Sequence, residues 1–128
     1  MIEFCSGVID HVSAPPLVPE ERPIDFEHLF RMTLGDHALE REVLQLFDRQ
    51  SGMLMERIAI SEPAVVAAFA HTLKGSARGI GAWQVARSAD VLECAAHAGK
   101  SGLEADIHAL ALSVREARTV ISELLRAH

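Results

Sequence analysis

From Ile24 onward, apolar residues recur at helical spacing, and short polar or glycine-containing breaks divide the chain into five segments. Phe26, Leu29 and Phe30 follow Asp25, a suitable N-cap, and Gly35 stops this first, short helix at about residue 34. Asp36 can cap the next. Its apolar stripe is Leu39, Val43, Leu46, Phe47, Leu54 and Ile58, about six turns at 3.6 residues per turn, with Gly52 a weak spot. The connection from Ile58 to Pro63 is tight. Pro63 fits a first helical turn, where its missing N–H costs nothing, and the third helix runs to Ile80, ended by Gly79 and Gly81. The fourth spans Trp83 to Ala98, with Val85, Ala89, Leu92 and Ala96 inward and Gly99 as terminator. Ser101-Gly102-Leu103-Glu104 reads as a capping box for the last helix. In that helix Leu103, Ile107, Leu110, Val114, Ala117, Ile121 and Leu124 form one narrow seam.

Short connections make neighbouring long helices antiparallel. The predicted fold is therefore all-α, an up-down-up-down four-helix bundle over residues 24–128 with the short extra N-terminal helix capping one end. Residues 1–23 stand apart. They carry Pro15, Pro16, Pro19 and Pro23, four of the five prolines, and cannot hold a regular helix. They are expected to form a flexible or extended N-terminal arm.

Composition narrows the function. At 128 residues the chain is one domain, and 49% hydrophobic residues suffice for a core. Tyrosine is absent and aromatics are only 5%, which favours packed helices over a sheet. The net charge of −6 argues against a nucleic-acid partner, which needs a basic face. No run approaches the roughly 18 consecutive apolar residues of a membrane span. Met1-Ile2-Glu3-Phe4 has neither a basic n-region nor a long apolar h-region, so no signal peptide is expected. The two cysteines, Cys5 and Cys94, are far apart in sequence and read as reduced thiols of a cytoplasmic protein.

One histidine stands out. On a wheel with Phe69 at zero, Val65, Leu73, Ser76 and Ile80 fall within about 40° and form the expected core stripe, while His71 falls about 160° away. That places the imidazole at the centre of the exposed face. Ala67 and Arg78 share the face, with Lys74 on one flank and Gly75 on the other. Small neighbours leave the ring approachable and basic ones favour an anion. A phosphoryl group on a ring nitrogen fits both conditions. Pattern alone also allows Lys74 and Arg78 to be no more than a solvated face. His11, His28, His37, His97, His108 and His128 read as ordinary surface or boundary residues.

The stretch His71-Thr72-Leu73-Lys74-Gly75-Ser76-Ala77, followed by Ile80-Gly81-Ala82, resembles the motif of histidine-containing phosphotransfer (HPt) domains of two-component phosphorelays. Ile24-Asp25-Phe26-Glu27-His28-Leu29 through Leu34-Gly35-Asp36 resembles the family's opening helix. Leu92-Glu93 resembles its hydrophobic–acid pair, and coverage is about residues 24 to 126. The resemblance implies a four-helix bundle in which His71 is phosphorylated. Lys74 would help hold the phosphoryl oxygens, Gly75 would leave room for the partner, and Glu93 would reach the histidine from the neighbouring helix. It implies response-regulator receiver domains and a sensor histidine kinase as partners.

No Gly-rich nucleotide loop or Walker lysine is present, so an intermediate without an ATP site is expected rather than a kinase. No cofactor is expected in the chain itself, and Mg²⁺ would come with the receiver. Ala64, Ala67, Ala68 and Arg78 are the candidate docking residues, and a monomer is expected. Two other readings stay open: a helical-bundle adaptor that binds receivers or kinases without carrying phosphate, and a metal-binding bundle. The second needs Glu-x-x-His pairs from two helices, which the chain lacks.

Overall fold

A computed structural model describes residues 22–127. The arm expected over residues 1–23 lies almost wholly outside them. Five helices make up 83% of the described residues, and no strand occurs among these. The helices are α1 (Phe26–Met32), α2 (His37–Ile60), α3 (Pro63–Ile80), α4 (Trp83–His97) and α5 (Glu104–Ala127). Packing runs in a ring: α2 against α3, α3 against α4, α4 against α5, and α5 back against α2, with α1 laid on α3.

The helix ends follow local chemistry. Asp25 and Asp36 cap α1 and α2, accepting from the backbone N–H of His28 at 3.2 Å and of Leu39 at 3.1 Å. Pro63 opens α3, and Gly81 closes it at φ +83. Gly81 has a second duty. Its carbonyl accepts from Asp25 N–H at 2.9 Å, and a Cβ there would meet Asp25 O at 2.9 Å. The chain entering α1 is thus pinned to the α3–α4 turn. Trp83 completes the clamp by donating its indole N–H to Asp25 Oδ2 at 2.9 Å. Burial pushes the Asp25 carboxyl up, but the bonds from Trp83 and His28 N–H outweigh it and hold it below its ordinary value.

The expected capping box does not form. Helix α5 begins at Glu104, and the Leu103 carbonyl accepts its first helical bond, from Ile107 N–H at 2.9 Å. Gly102 lies at φ +71, so the backbone turns between Ser101 and the helix and carries Ser101 out of the cap position.

The core departs from the expected stripes in two helices. In α2 the fully buried positions are Leu44, Phe47, Ser51, Leu54 and Ile58, whereas Leu39 and Leu46 are exposed. In α3 the buried arc is Val66, Ala67, Ala70, Leu73, Ala77 and Ile80. Val65 is exposed, and Phe69 and Ser76 are only half-buried. The arc is turned by about 75° from the wheel centred on Phe69. The reason lies in α4, which presents Ala86, Ala89 and Ala96 as buried residues. Small side chains on both helices let the two axes approach closely. The inner face of α3 then follows its alanines and not its largest side chain. The stripes expected for α4 and α5 are observed, with Leu103, Ile107 and Leu124 at the partly buried margin.

Candidate functional site

His71 sits on the flank of α3 nearest α4, not at the centre of the exposed face. Gly75 and Ala68 lie closer to that centre, and a Cβ on Gly75 would meet nothing within 4 Å. The rotation that buries Ala67 and Ala70 brings His71 round toward α4. The ring is still 67% exposed.

There its Nδ1 lies 2.9 Å from Glu93 Oε2. A carboxylate can only accept, so Nδ1 carries the proton and the Nε2 lone pair is open. Nε2 has no partner among the described residues. Glu93 is 14% exposed, reaching from α4 between two helices. Its other oxygen, Oε1, is 2.8 Å from Lys74 Nζ in an ion pair. Burial alone would raise the Glu93 carboxyl. Lys74 first, and the His71 bond second, outweigh it and hold the group below its ordinary value.

Lys74 is not the free cation that the sequence suggested. Its side chain is 14% exposed, and its ammonium also bonds Asp90 Oδ1 at 3.0 Å. Burial works against the charge, but the two carboxylates raise the affinity for its proton. The surround of His71 is therefore a mixed cluster: Lys74 from α3, and Asp90, Glu93 and His97 from α4. His97 Nε2 lies 3.8 Å from the same Glu93 Oε2 that holds His71. Asp90 and His97 were missed as site residues. The signal was present in their spacing from Glu93, three residues before and four after, which puts all three on one face of α4.

Of the expected docking residues, Ala64, Ala68 and Arg78 are exposed beside His71 on α3. Ala67 is 1% exposed and packs in the core, so it cannot touch a partner. Exposed apolar side chains occur on several helices, among them Phe26 and Phe30 of α1, Val65 of α3 and Val91 of α4. Cys94, next to Glu93, is disulfide-bonded, which overturns the reduced-thiol expectation for this residue; Cys5 lies outside the described residues. Compared with protein-family models, curated proteins and solved structures, the chain finds no match.

Proposed function

We propose that this chain is a phosphorelay protein of the HPt kind. It accepts a phosphoryl group on His71 from a kinase or a receiver-domain aspartyl phosphate and passes it to a receiver domain. The observation that carries the reading is the His71–Glu93 pair: an exposed imidazole whose Nδ1 is held at 2.9 Å by a largely buried carboxylate, leaving Nε2 facing outward. The closed ring of four long helices is read as the expected up-down-up-down bundle, with α1 as its extra helix.

The chemistry balances on this chain's own atoms. The Nε2 lone pair attacks phosphorus in line. The bond from phosphorus to the aspartyl oxygen breaks, and aspartate leaves as its carboxylate. No proton need depart: Nδ1 keeps its hydrogen, and the ring becomes a cation that Glu93 Oε2 is placed to stabilise. Reverse transfer retraces the same path. Phosphoryl transfer of this sort is mostly positioning and charge stabilisation.

Lys74 contributes by fixing Glu93, because its ammonium is already engaged by two carboxylates. Mg²⁺ would be held by the receiver; the carboxylates nearest His71, Asp90 and Glu93, are both paired with Lys74. Gly75, Ala64, Ala68 and Arg78, exposed on the same side of α3 as His71, form the floor on which the receiver would dock. Such transient signalling interfaces are modest in area.

The test is to incubate the protein with a phosphorylated receiver and look for acid-labile, base-stable label, then repeat with His71→Gln. Label on the unaltered chain that vanishes in the variant supports the proposal, and label that survives the substitution sinks it. Receiver binding without any transfer would instead favour the adaptor reading.

A further inference from the structure

Glu93 Oε2 faces two histidines. His71 Nδ1 lies 2.9 Å away across the α3–α4 interface, and His97 Nε2 lies 3.8 Å away one turn along α4. The two rings are 67% and 68% exposed. Both can exchange protons with solvent, and one carboxylate oxygen cannot serve two cations as fully as one. Oε1 is paired with Lys74 from α3, Lys74 is shared with Asp90 of α4, and beyond α4 Lys100 is paired with Asp106 of α5 at 3.2 Å.

We propose that His97 is a positioning residue that acts on His71 through Glu93 and makes the reactivity of His71 depend on the protonation of a second ring. With His97 neutral, Oε2 belongs to His71. The Nδ1–H bond orients the ring and raises the basicity of Nε2. With His97 protonated, a cation already inside ion-pair distance draws Oε2 toward itself. The hold on Nδ1–H slackens, and Nε2 becomes a poorer nucleophile in a less fixed orientation. Histidine ordinarily changes charge between about pH 5 and 8. Acidification over that range therefore weakens His71 twice: once by direct protonation of Nε2, and once by diverting Glu93.

This inference rests on the phosphorelay reading for its consequence but not for its physics. The experiment separates the two. The His71 ring signals are followed by NMR from pH 5 to 8 in the unaltered chain and in His97→Gln, His97→Arg and Glu93→Gln. The expected result is a His71 titration with two inflections in the unaltered chain and one in His97→Gln. His97→Arg, charged throughout, should give His71 signals at pH 8 shifted toward those of the unaltered chain at lower pH. Glu93→Gln should abolish the influence of residue 97. Superimposable His71 curves with and without His97 overturn the proposal. Coupling that persists in Glu93→Gln overturns the route through the carboxylate.

The functional readout is the rate of phosphoryl acceptance. Between pH 7.5 and pH 6 it should fall several-fold more in the unaltered chain than in His97→Gln. NMR coupling with no phosphoryl acceptance at any pH leaves the positioning role intact and refutes the phosphorelay reading instead. Equal pH profiles for the two chains refute the positioning role.

Discussion

Lys74 and Glu93 meet at 2.8 Å between α3 and α4, each with a side chain only 14% exposed. The pair joins the helix that carries His71 to the helix that orients it. It is also where the site and the fold depend on the same atoms. A change at Lys74 is felt by the imidazole through Glu93, and by the α3–α4 interface through Asp90 at 3.0 Å.

Replacing Lys74 with Met should therefore cost stability as well as activity. Two carboxylates would be left facing each other without their cation. The loss should be about 1–3 kcal/mol, between the values for exposed and buried pairs. Urea unfolding of the variant beside the unaltered chain measures it. A variant that loses phosphoryl transfer with an unchanged urea midpoint would show that Lys74 acts on the phosphoryl group and not on Glu93.

Acid should destabilise the chain, and the sign follows from Glu93 and Asp25. Each carboxyl is held below its ordinary value, 4.5 and 3.8 respectively. The folded state thus binds these protons less readily than the unfolded state. Their contribution is present in full above the ordinary values and is lost as pH falls through the folded ones. Lys74, raised above its ordinary 10.5, works the other way: its contribution is lost only as pH climbs past that value. Urea midpoints should fall below about pH 4.5, and Glu93→Gln should flatten that part of the slope.

Ala67 and Ala68 are adjacent and opposite in fate. Ala67 is buried at 1% exposure and Ala68 is exposed. Ala67→Leu overfills the α3–α4 interface and should cost about 1–3 kcal/mol. Ala68→Leu should change stability by less than about 0.5 kcal/mol. If Ala68 lines the docking surface, the second variant should nevertheless alter receiver affinity, which a binding titration reads directly.

Gly52 lies in the middle of α2, where glycine is about 1 kcal/mol less favourable than alanine. Its lack of a Cβ makes room for Arg118, whose Nη1 would be 2.7 Å from one, and Arg118 Nε bonds Asp48 Oδ1 at 2.9 Å. The guanidinium is the flexible end of a half-exposed side chain, and exposed ion pairs contribute about 0–1 kcal/mol. Gly52→Ala should thus be neutral or stabilising by up to about 1 kcal/mol. The gain should be fuller in an Arg118→Ala background, as a double-mutant cycle by thermal melts would reveal.

The indole bond from Trp83 to Asp25 fastens α1 to the rest of the chain. Trp83→Phe leaves the buried Asp25 carboxylate without that donor and should cost about 1–2 kcal/mol. Hydrogen exchange in residues 26–32 should accelerate more than in α4. Uniform acceleration would mean that α1 does not open on its own.

Local signals were legible in the sequence wherever one residue decides the outcome. Asp25, Asp36, Pro63 and Gly81 mark helix ends because their backbone chemistry suits nothing else as well, and α3 was read to the residue. Ser101 failed as a cap because Gly102 was free to take a left-handed turn that the sequence does not forbid. The inner face of α3 was misjudged for a different reason. Periodicity weighs side chains by hydrophobicity, so Phe69 dominated the wheel, whereas packing against the alanines of α4 rewarded closeness and buried Ala67, Ala70 and Ala77.

By itself, then, the sequence determined the number and limits of the helices and an exposed histidine followed by Lys-Gly on the third of them. These follow from spacing, caps and breakers within a few residues of chain. Only the tertiary structure decided which charges surround that histidine. Lys74 lies three residues from His71 in sequence yet pairs with carboxylates 16 and 19 residues further on. Glu93 reaches His71 across 22 residues, and His97 shares its oxygen. Those partners are set by how closely and at what rotation α3 lies on α4, a quantity fixed by mutual packing of small side chains and written in neither helix alone.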